Sequence, residues 1–183
     1  MKRGFYTIMC AQFLSSLADN ALLIAAIALL TSIQAPGWMT PLLKLFFVIS
    51  YVVLASWVGI FADLMPKGRV MFITNAVKVA GCLMMLFGSH PLLSYAVVGI
   101  GAAAYSPAKY GILTELLPPE KLVIANGWIE GLTVVSIILG VVLGGILVEP
   151  DVGAAILAFF HMPLVGLHTV AEAAIAVIVF VYA

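Results

Sequence analysis

The residues of this chain that could do chemistry are polar and charged side chains inside long apolar stretches. Asp19 lies in the first stretch, and Gln12 and Ser16 precede it by seven and three residues. An α-helix returns to the same face at these spacings. Because a carboxylate at membrane depth is costly and almost always faces a bundle interior, this stripe predicts a polar centre. The alternative is that Asp19 only caps a helix at a break.

Two later stretches carry polar groups at similar helical spacing: Ser106, Lys109 and Tyr110 in one, and Asn126, Glu130 and Thr133 in the next. An isolated charge in hydrocarbon costs about 2.5–3.5 kcal/mol even on the lenient insertion scale. Opposite charges at similar depth should therefore pair, and we predict an ion pair between Lys109 and Glu130. The alternative is that Lys109 extends to the lipid headgroups.

Asp19 is the deepest of these charges, roughly 20 Å along its helix at about 1.5 Å per residue. We expect its partner to lie outside this chain. Lys78, with Asn75 nearly one turn before it, stands in the third apolar stretch. Extension of Lys78 to the headgroups and a position inside the bundle are equally compatible with its place in the sequence.

The composition identifies the protein class. Hydrophobic residues make up 64% of the chain and charged residues 9%, against about 25% charged in soluble proteins, and the mean hydropathy is +1.23. These values predict an integral membrane protein. The net charge is zero and no basic stripe is present, so we expect no nucleic-acid partner. The histidines are scattered and no nucleophile motif occurs, so we expect no enzyme, cofactor or metal.

A membrane-spanning helix needs about 20 apolar residues, and breaks at proline, glycine and charge divide the chain into six such spans. They cover about residues 5–32, 41–64, 69–88, 91–114, 122–148 and 168–183. We therefore predict one all-α bundle over residues 1–183. A short interfacial helix is expected in the loop 149–167, which contains Glu149, Asp151 and His161. The sixth span is short, so we expect it to be cut within the helix.

Basic residues in short loops favour the cytoplasmic side. They occur at the N-terminus and in the second-to-third and fourth-to-fifth connections, as Lys2, Arg3, Lys67, Arg69 and Lys121. Lys44 alone lies near the opposite face. The N-terminus is therefore expected in the cytoplasm.

One of these connections carries a recognisable motif. The sequence from Gly59 to Asp63, followed by Lys67-Gly68-Arg69, resembles the cytoplasmic signature loop of the major facilitator superfamily. That resemblance implies twelve helices in two halves, so this chain would be the N-terminal half and the C-terminal six-helix half would be missing. It also implies that Gly59, Asp63, Lys67 and Arg69 stabilise one conformation.

Two longer segments narrow the resemblance. Residues 17–23 and 101–113 are similar to the bacterial lysophospholipid transporters of that superfamily. The resemblance implies movement of lysophosphatidylethanolamine from the outer to the inner leaflet of the bacterial inner membrane. Reacylation by a cytoplasmic acyltransferase–acyl-carrier-protein synthetase would follow. Residues 140–145 are similar to the glycine motif of the fifth helix, but Val141 stands where antiporters usually have proline.

A lysophospholipid needs a polar path for its headgroup beside an apolar surface for its single chain. We expect Asp19, with Asn20, to attract the ammonium group or to form a gate, and Lys109 to bind phosphate or to form a gate pair. Gln12, Ser106, Tyr110 and Glu130 would complete the path. The alternatives are a proton-coupled exporter of small solutes or drugs, in which Asp19 or Glu130 titrates, and a non-transporting membrane anchor for an acyltransferase.

Overall fold

The computed structural model describes residues 3–159 and 167–183, and in these ranges the chain is helical without any strand. The helices are α1 (Arg3–Ser32), α2 (Met39–Leu64), α3 (Lys67–Leu86), α4 (Pro91–Leu116), α5 (Pro119–Leu147), α6 (Pro150–Phe159) and α7 (Val170–Tyr182). The all-α prediction is confirmed for this part of the chain. The first five predicted spans coincide with α1 to α5, and their ends differ by three residues at most.

Proline and glycine mark the helix ends. Helices α4 and α5 begin at Pro91 and Pro119, at the first helical position, where the missing N–H would have had no partner. After α3 the chain turns at Gly88, whose φ of 81° lies in the left-handed region that glycine adopts without steric cost. The short connections make successive helices run antiparallel, but among α1 to α5 only α3 and α4 pack extensively against the helix that follows or precedes them in the chain.

Helices α1 and α4 are the two central elements. Helix α1 packs against α5 and α7, while α4 packs against α2 and α3, and α1 and α4 also contact each other. Helix α7 reaches α3 as well as α1. Every functional residue discussed below is positioned by this arrangement.

The buried apolar residues form separate clusters near the two ends of the bundle. The larger cluster joins the C-terminal half of α1 to α7 and to the α3–α4 turn, with Leu22, Ala25, Tyr95 and Ile175 among its members. Two smaller clusters lie around Phe5 and Ile8 at the opposite end. Buried polar side chains lie between these ends: Gln12, Ser15, Thr74, Lys78 and Lys109. The bundle therefore contains a polar layer at mid-depth.

The close approach of α1 and α5 depends on glycine residues of α5. A Cβ atom on Gly140 would lie 2.5 Å from the Leu17 carbonyl oxygen, and one on Gly144 would lie 2.9 Å from the Ala21 backbone. Both glycines face α1. Because lipid supplies no hydrophobic force between helices, such backbone contact is a main source of packing energy.

The segment after α5 contains the expected short helix, α6. Residues 160–166, which include His161, lie outside the described part. Helix α7 starts in a capping box, in which the Thr169 hydroxyl accepts from the Glu172 N–H and the Glu172 carboxylate accepts from the Thr169 N–H. Glu172 is thus a helix-capping residue.

Three helices of the described chain are long and apolar enough to cross a membrane, namely α1 from Gly4, α3 and α5. Helix α2 makes a fourth if its parts Met39–Leu54 and Ser56–Leu64, which are inclined by 67°, count as one span. The assignment of six spans stays a prediction.

We predict that Gly144→Ala destabilises the bundle and that Gly145→Ala does not. The added methyl group at position 144 meets the α1 backbone, and such overpacking costs about 1–3 kcal/mol. At Gly145 nothing lies within 4 Å of the new Cβ, so the higher helix propensity of alanine is the remaining effect. Thermal unfolding of the purified variants in detergent measures the difference, and equal midpoints would refute this account of the α1–α5 contact.

Candidate functional site

A polar cavity of about 110 Å³ lies at mid-depth between α1, α3, α4 and α5. Its lining includes Gln12, Ser16 and Asp19 from α1, Lys78 from α3, Ser106 and Lys109 from α4, and Thr133 from α5. Four of the predicted site residues therefore meet at one place, Gln12, Asp19, Ser106 and Lys109, together with Ser16 and Thr133 of the predicted polar stripes.

One end of the cavity is closed by a buried ion pair. The Lys78 Nζ lies 2.8 Å from Asp19 Oδ2, and the two side chains are only 2% and 17% exposed. The Tyr182 hydroxyl donates to Asp19 Oδ1 at 2.6 Å, and Lys78 also donates to the Ser15 hydroxyl at 2.8 Å. Helices α1, α3 and α7 are thereby joined through one carboxylate.

This pairing corrects two expectations. Asp19 has its partner within the chain, and Lys78 does not extend to the headgroups, since the whole residue is 1% exposed. A comparison of the depths of Lys78 and Asp19 along their helices would have predicted this ion pair from the sequence. Lys78 lies eleven residues into α3, or about 16 Å at 1.5 Å per residue, which is close to the depth of Asp19.

Lys109 lies inside the bundle, 7% exposed, and forms no ion pair among the described residues. Its Nζ is 4.5 Å from the centroid of the Tyr110 ring. The predicted Lys109–Glu130 pair is wrong, because the Tyr110 hydroxyl donates to Glu130 Oε1 at 2.5 Å on the exposed side of the bundle. Neighbouring helical residues point about 100° apart, so Tyr110 reaches the α5 carboxylate and Lys109 faces the cavity.

The other predicted residues support the walls. Gln12 Nε2 donates to the Thr133 hydroxyl at 3.1 Å, which links the polar stripes of α1 and α5. Asn20 donates to the Ser16 carbonyl at 2.8 Å within α1. Its Cβ lies close to Gly140, so Asn20 serves the α1–α5 contact and does not line the cavity.

Two tyrosines of the cavity were missed by sequence reasoning. Tyr105 is 4% exposed, and its hydroxyl has no hydrogen-bond partner in the described part of the chain. Tyr51 lines the cavity from α2. For Tyr105 a signal existed, because it precedes Lys109 by four residues and so shares its helical face. A buried hydroxyl without a partner is rare, and here it borders the space that a polar ligand would occupy.

A sequence model of the Major Facilitator Superfamily matches residues 8–182. The chain belongs to the major facilitator superfamily. This membership confirms the resemblance of the signature loop and, with the helical fold and the apolar composition, identifies a polytopic membrane protein. The similarity of the chain to individual proteins is more specific than this match to the superfamily.

Curated relatives in this superfamily carry the name "Lysophospholipid transporter LplT". The protein of Yersinia enterocolitica serotype O:8 is 50% identical over 156 residues, which cover 85% of this chain and 39% of that protein. Those of Serratia proteamaculans and Yersinia pestis strain Pestoides F are each 49% identical over the same length of this chain, with 39% and 38% of their own length covered. The chain thus spans about two fifths of these relatives.

The signature loop of the family has its own ion pair. Lys67 Nζ lies 2.6 Å from Asp63 Oδ1 and donates to the Ala62 carbonyl at 2.8 Å. The Lys67 stem packs against Gly111 of α4, where an added Cβ would lie 3.1 Å from it. The Arg69 side chain is exposed. The end of α2 is therefore joined through Lys67 to α3 and α4, and Gly59 lies apart from this contact.

We predict that Lys78→Met strongly destabilises the protein and that the double variant Asp19→Asn/Lys78→Met regains most of the loss. Removal of one partner leaves a buried charge uncompensated, which costs about 3–5 kcal/mol, whereas removal of both leaves none. Unfolding midpoints of the wild type, both single variants and the double variant form the required cycle. If the two single losses simply add in the double variant, the pair does not have this role.

Proposed function

We propose that this chain is the N-terminal six-helix half of a transporter that moves lysophospholipid, chiefly lysophosphatidylethanolamine, across the bacterial inner membrane. Movement runs from the outer to the inner leaflet. The product is reacylated on the cytoplasmic side by an acyltransferase–acyl-carrier-protein synthetase. The identity of about 50% with proteins named lysophospholipid transporters supports the substrate.

The observation that carries the proposal is the buried cation in the polar cavity. Lys109 is buried and has no carboxylate within ion-pair distance in the described part of the chain, although a buried charge normally has one. A phosphate group would supply the missing negative charge, and lysine is an established phosphate ligand. The Tyr105 and Ser106 hydroxyls beside it can donate to phosphate oxygens. Lys109 is accordingly assigned to the phosphate.

Asp19 is assigned to a gate in this conformation. Its two carboxylate oxygens already accept from Lys78 and Tyr182. The ammonium of Lys78 is chemically equivalent to that of an ethanolamine headgroup, so the substrate can take the place of Lys78 when the pair opens. Opening would break the link that the pair makes between α1 and α3, which couples headgroup binding to helix movement.

The orientation follows from the basic loops. Lys67, Arg69 and Lys121 lie in the first turns of α3 and α5, on the side of the bundle where α1 begins, and the positive-inside rule favours the cytoplasmic side for such residues. With an N-terminus in the cytoplasm, the turn between α3 and α4 faces outward. The larger apolar cluster then lies in the outer half of the membrane and the two smaller ones in the inner half.

The main rival is a proton-coupled exporter of small solutes. It requires a carboxylate that is free to exchange a proton, and in this structure Glu130 is the exposed candidate, with Tyr110 as its hydrogen-bond donor. Dependence of flux on an imposed pH gradient, with no flux of lysophospholipid, would favour the exporter. Binding of an acyltransferase without any transport would favour a membrane anchor.

We predict that Lys109→Met lowers the affinity for lysophosphatidylethanolamine roughly 10- to 100-fold, while Lys109→Arg retains most of it. A hydrogen bond to a charged group contributes about 1.5–3 kcal/mol, and about 1.4 kcal/mol is tenfold in affinity. Uptake into proteoliposomes by the full-length protein, measured against substrate concentration, gives the change.

Lys44→Met is the matched control, because it removes an exposed lysine of α2 away from the cavity. It should leave the affinity unchanged. Equal affinities of the Lys109→Met variant and the wild type would exclude phosphate binding by Lys109.

A further inference from the structure

An apolar pocket of about 280 Å³ lies between α2 and α4, directly beside the polar cavity. Val58 and Gly59 of α2 and Ala103 and Pro107 of α4 form its apolar walls. Tyr51 and Ser106 line both this pocket and the polar cavity. The two spaces are therefore adjacent, with Tyr51 and Ser106 between them.

Small side chains create the pocket. Gly59 has no side chain, and nothing lies within 4 Å of the position that its Cβ would take. Ala103 presents a single methyl group on the opposite wall. A leucine in place of Gly59 would project into the space without meeting other atoms at its base. The pocket therefore exists because α2 and α4 carry small residues, Gly59 and Ala103, on the two facing walls.

Other apolar pockets lack this continuity. A pocket of about 330 Å³ beside Met9 and Leu132 shares no lining residue with the polar cavity. One of about 220 Å³ beside Trp57 and Ile73 also shares none, but Val58 lines both it and the α2–α4 pocket. Val58, only 8% exposed, therefore lies between the α2–α4 pocket and the Trp57 pocket. Starting from Ser106, the α2–α4 pocket comes first and the Trp57 pocket lies behind Val58.

We propose that the pocket between α2 and α4 binds the acyl chain of the substrate next to its headgroup and that Val58 limits how far the chain extends. This inference rests on the proposed function, in which Lys109 binds the phosphate. Ser106 then stands at the junction of headgroup and chain. An amphiphile with one chain matches one polar space that lies beside one apolar pocket.

Selectivity for chain length follows from this geometry. The acyl chain enters the pocket from the lipid, which is already apolar, so its methylenes gain packing contacts with the pocket walls and little hydrophobic free energy. Each methylene that fits into the pocket should therefore raise the affinity by a similar, modest factor. Affinity should stop rising once the chain reaches Val58.

The test compares uptake of lysophosphatidylethanolamines of increasing chain length by the full-length protein in proteoliposomes. Gly59→Leu fills the pocket and should move the plateau to shorter chains by the number of methylenes that the leucine side chain displaces. Val58→Ala opens the wall towards the Trp57 pocket and should move the plateau to longer chains. Competition by glycerophosphoethanolamine, which has no chain, should be unchanged in both variants.

Gly131→Leu is the matched control, since Gly131 is exposed on α5 with nothing within 4 Å of its Cβ position. Its chain-length profile should equal that of the wild type. A uniform fall for all chain lengths in Gly59→Leu, together with an unchanged profile in Val58→Ala, would overturn the inference and leave the proposed function standing. If Gly59→Leu does not fold, the Val58→Ala profile decides. Absence of lysophospholipid uptake by the wild type would overturn both.

Discussion

The ion pair between Asp19 and Lys78 is the constraint on which the rest of the bundle depends. Two charges at mid-depth are tolerated because they lie 2.8 Å apart and hydroxyl groups occupy their remaining hydrogen-bonding positions. The pair fixes the register of α1 against α3, and Tyr182 adds α7 to the same carboxylate. The contact of α3 with α4 also accommodates the pair. Gly101 of α4 leaves space for the Lys78 side chain, because a Cβ atom added at position 101 would lie 2.7 Å from the Lys78 Cγ.

The polar layer divides two regions that are held together differently. Near the ends, apolar side chains and glycine contacts such as Gly144 against Ala21 bring the helices close. At mid-depth, glycine contacts such as Gly140 against Leu17 continue, and directional bonds are added, including the one between Gln12 and Thr133. Directional bonds can be exchanged for bonds to a polar ligand, whereas close packing cannot open without a large loss of contact. A site for a polar headgroup is therefore expected in this layer.

The distribution of charge within the layer gives the cavity its chemistry. Lys78 is neutralised by Asp19, and Glu130 accepts from Tyr110 on the exposed side. Lys109 remains, buried beside the Tyr105 hydroxyl. The apolar pocket beside Ser106 adds a second environment next to the polar cavity. The substrate that we propose, with one phosphate and a single acyl chain, matches both environments.

The sequence by itself determined the class, the helices and their polar faces. Its composition required a membrane environment, Pro91 and Pro119 marked helix starts, and the spacing of Gln12, Ser16 and Asp19 placed them on one stripe. Which charge meets which was decided only by the tertiary structure. Lys109 and Glu130 have opposite charges and similar depths. The next residue on α4, Tyr110, nevertheless faces α5 and donates to Glu130, while Lys109 faces the cavity. The rotations and tilts of the helices arise from contacts distant in the chain, so periodicity predicts the face of a side chain but not its partner.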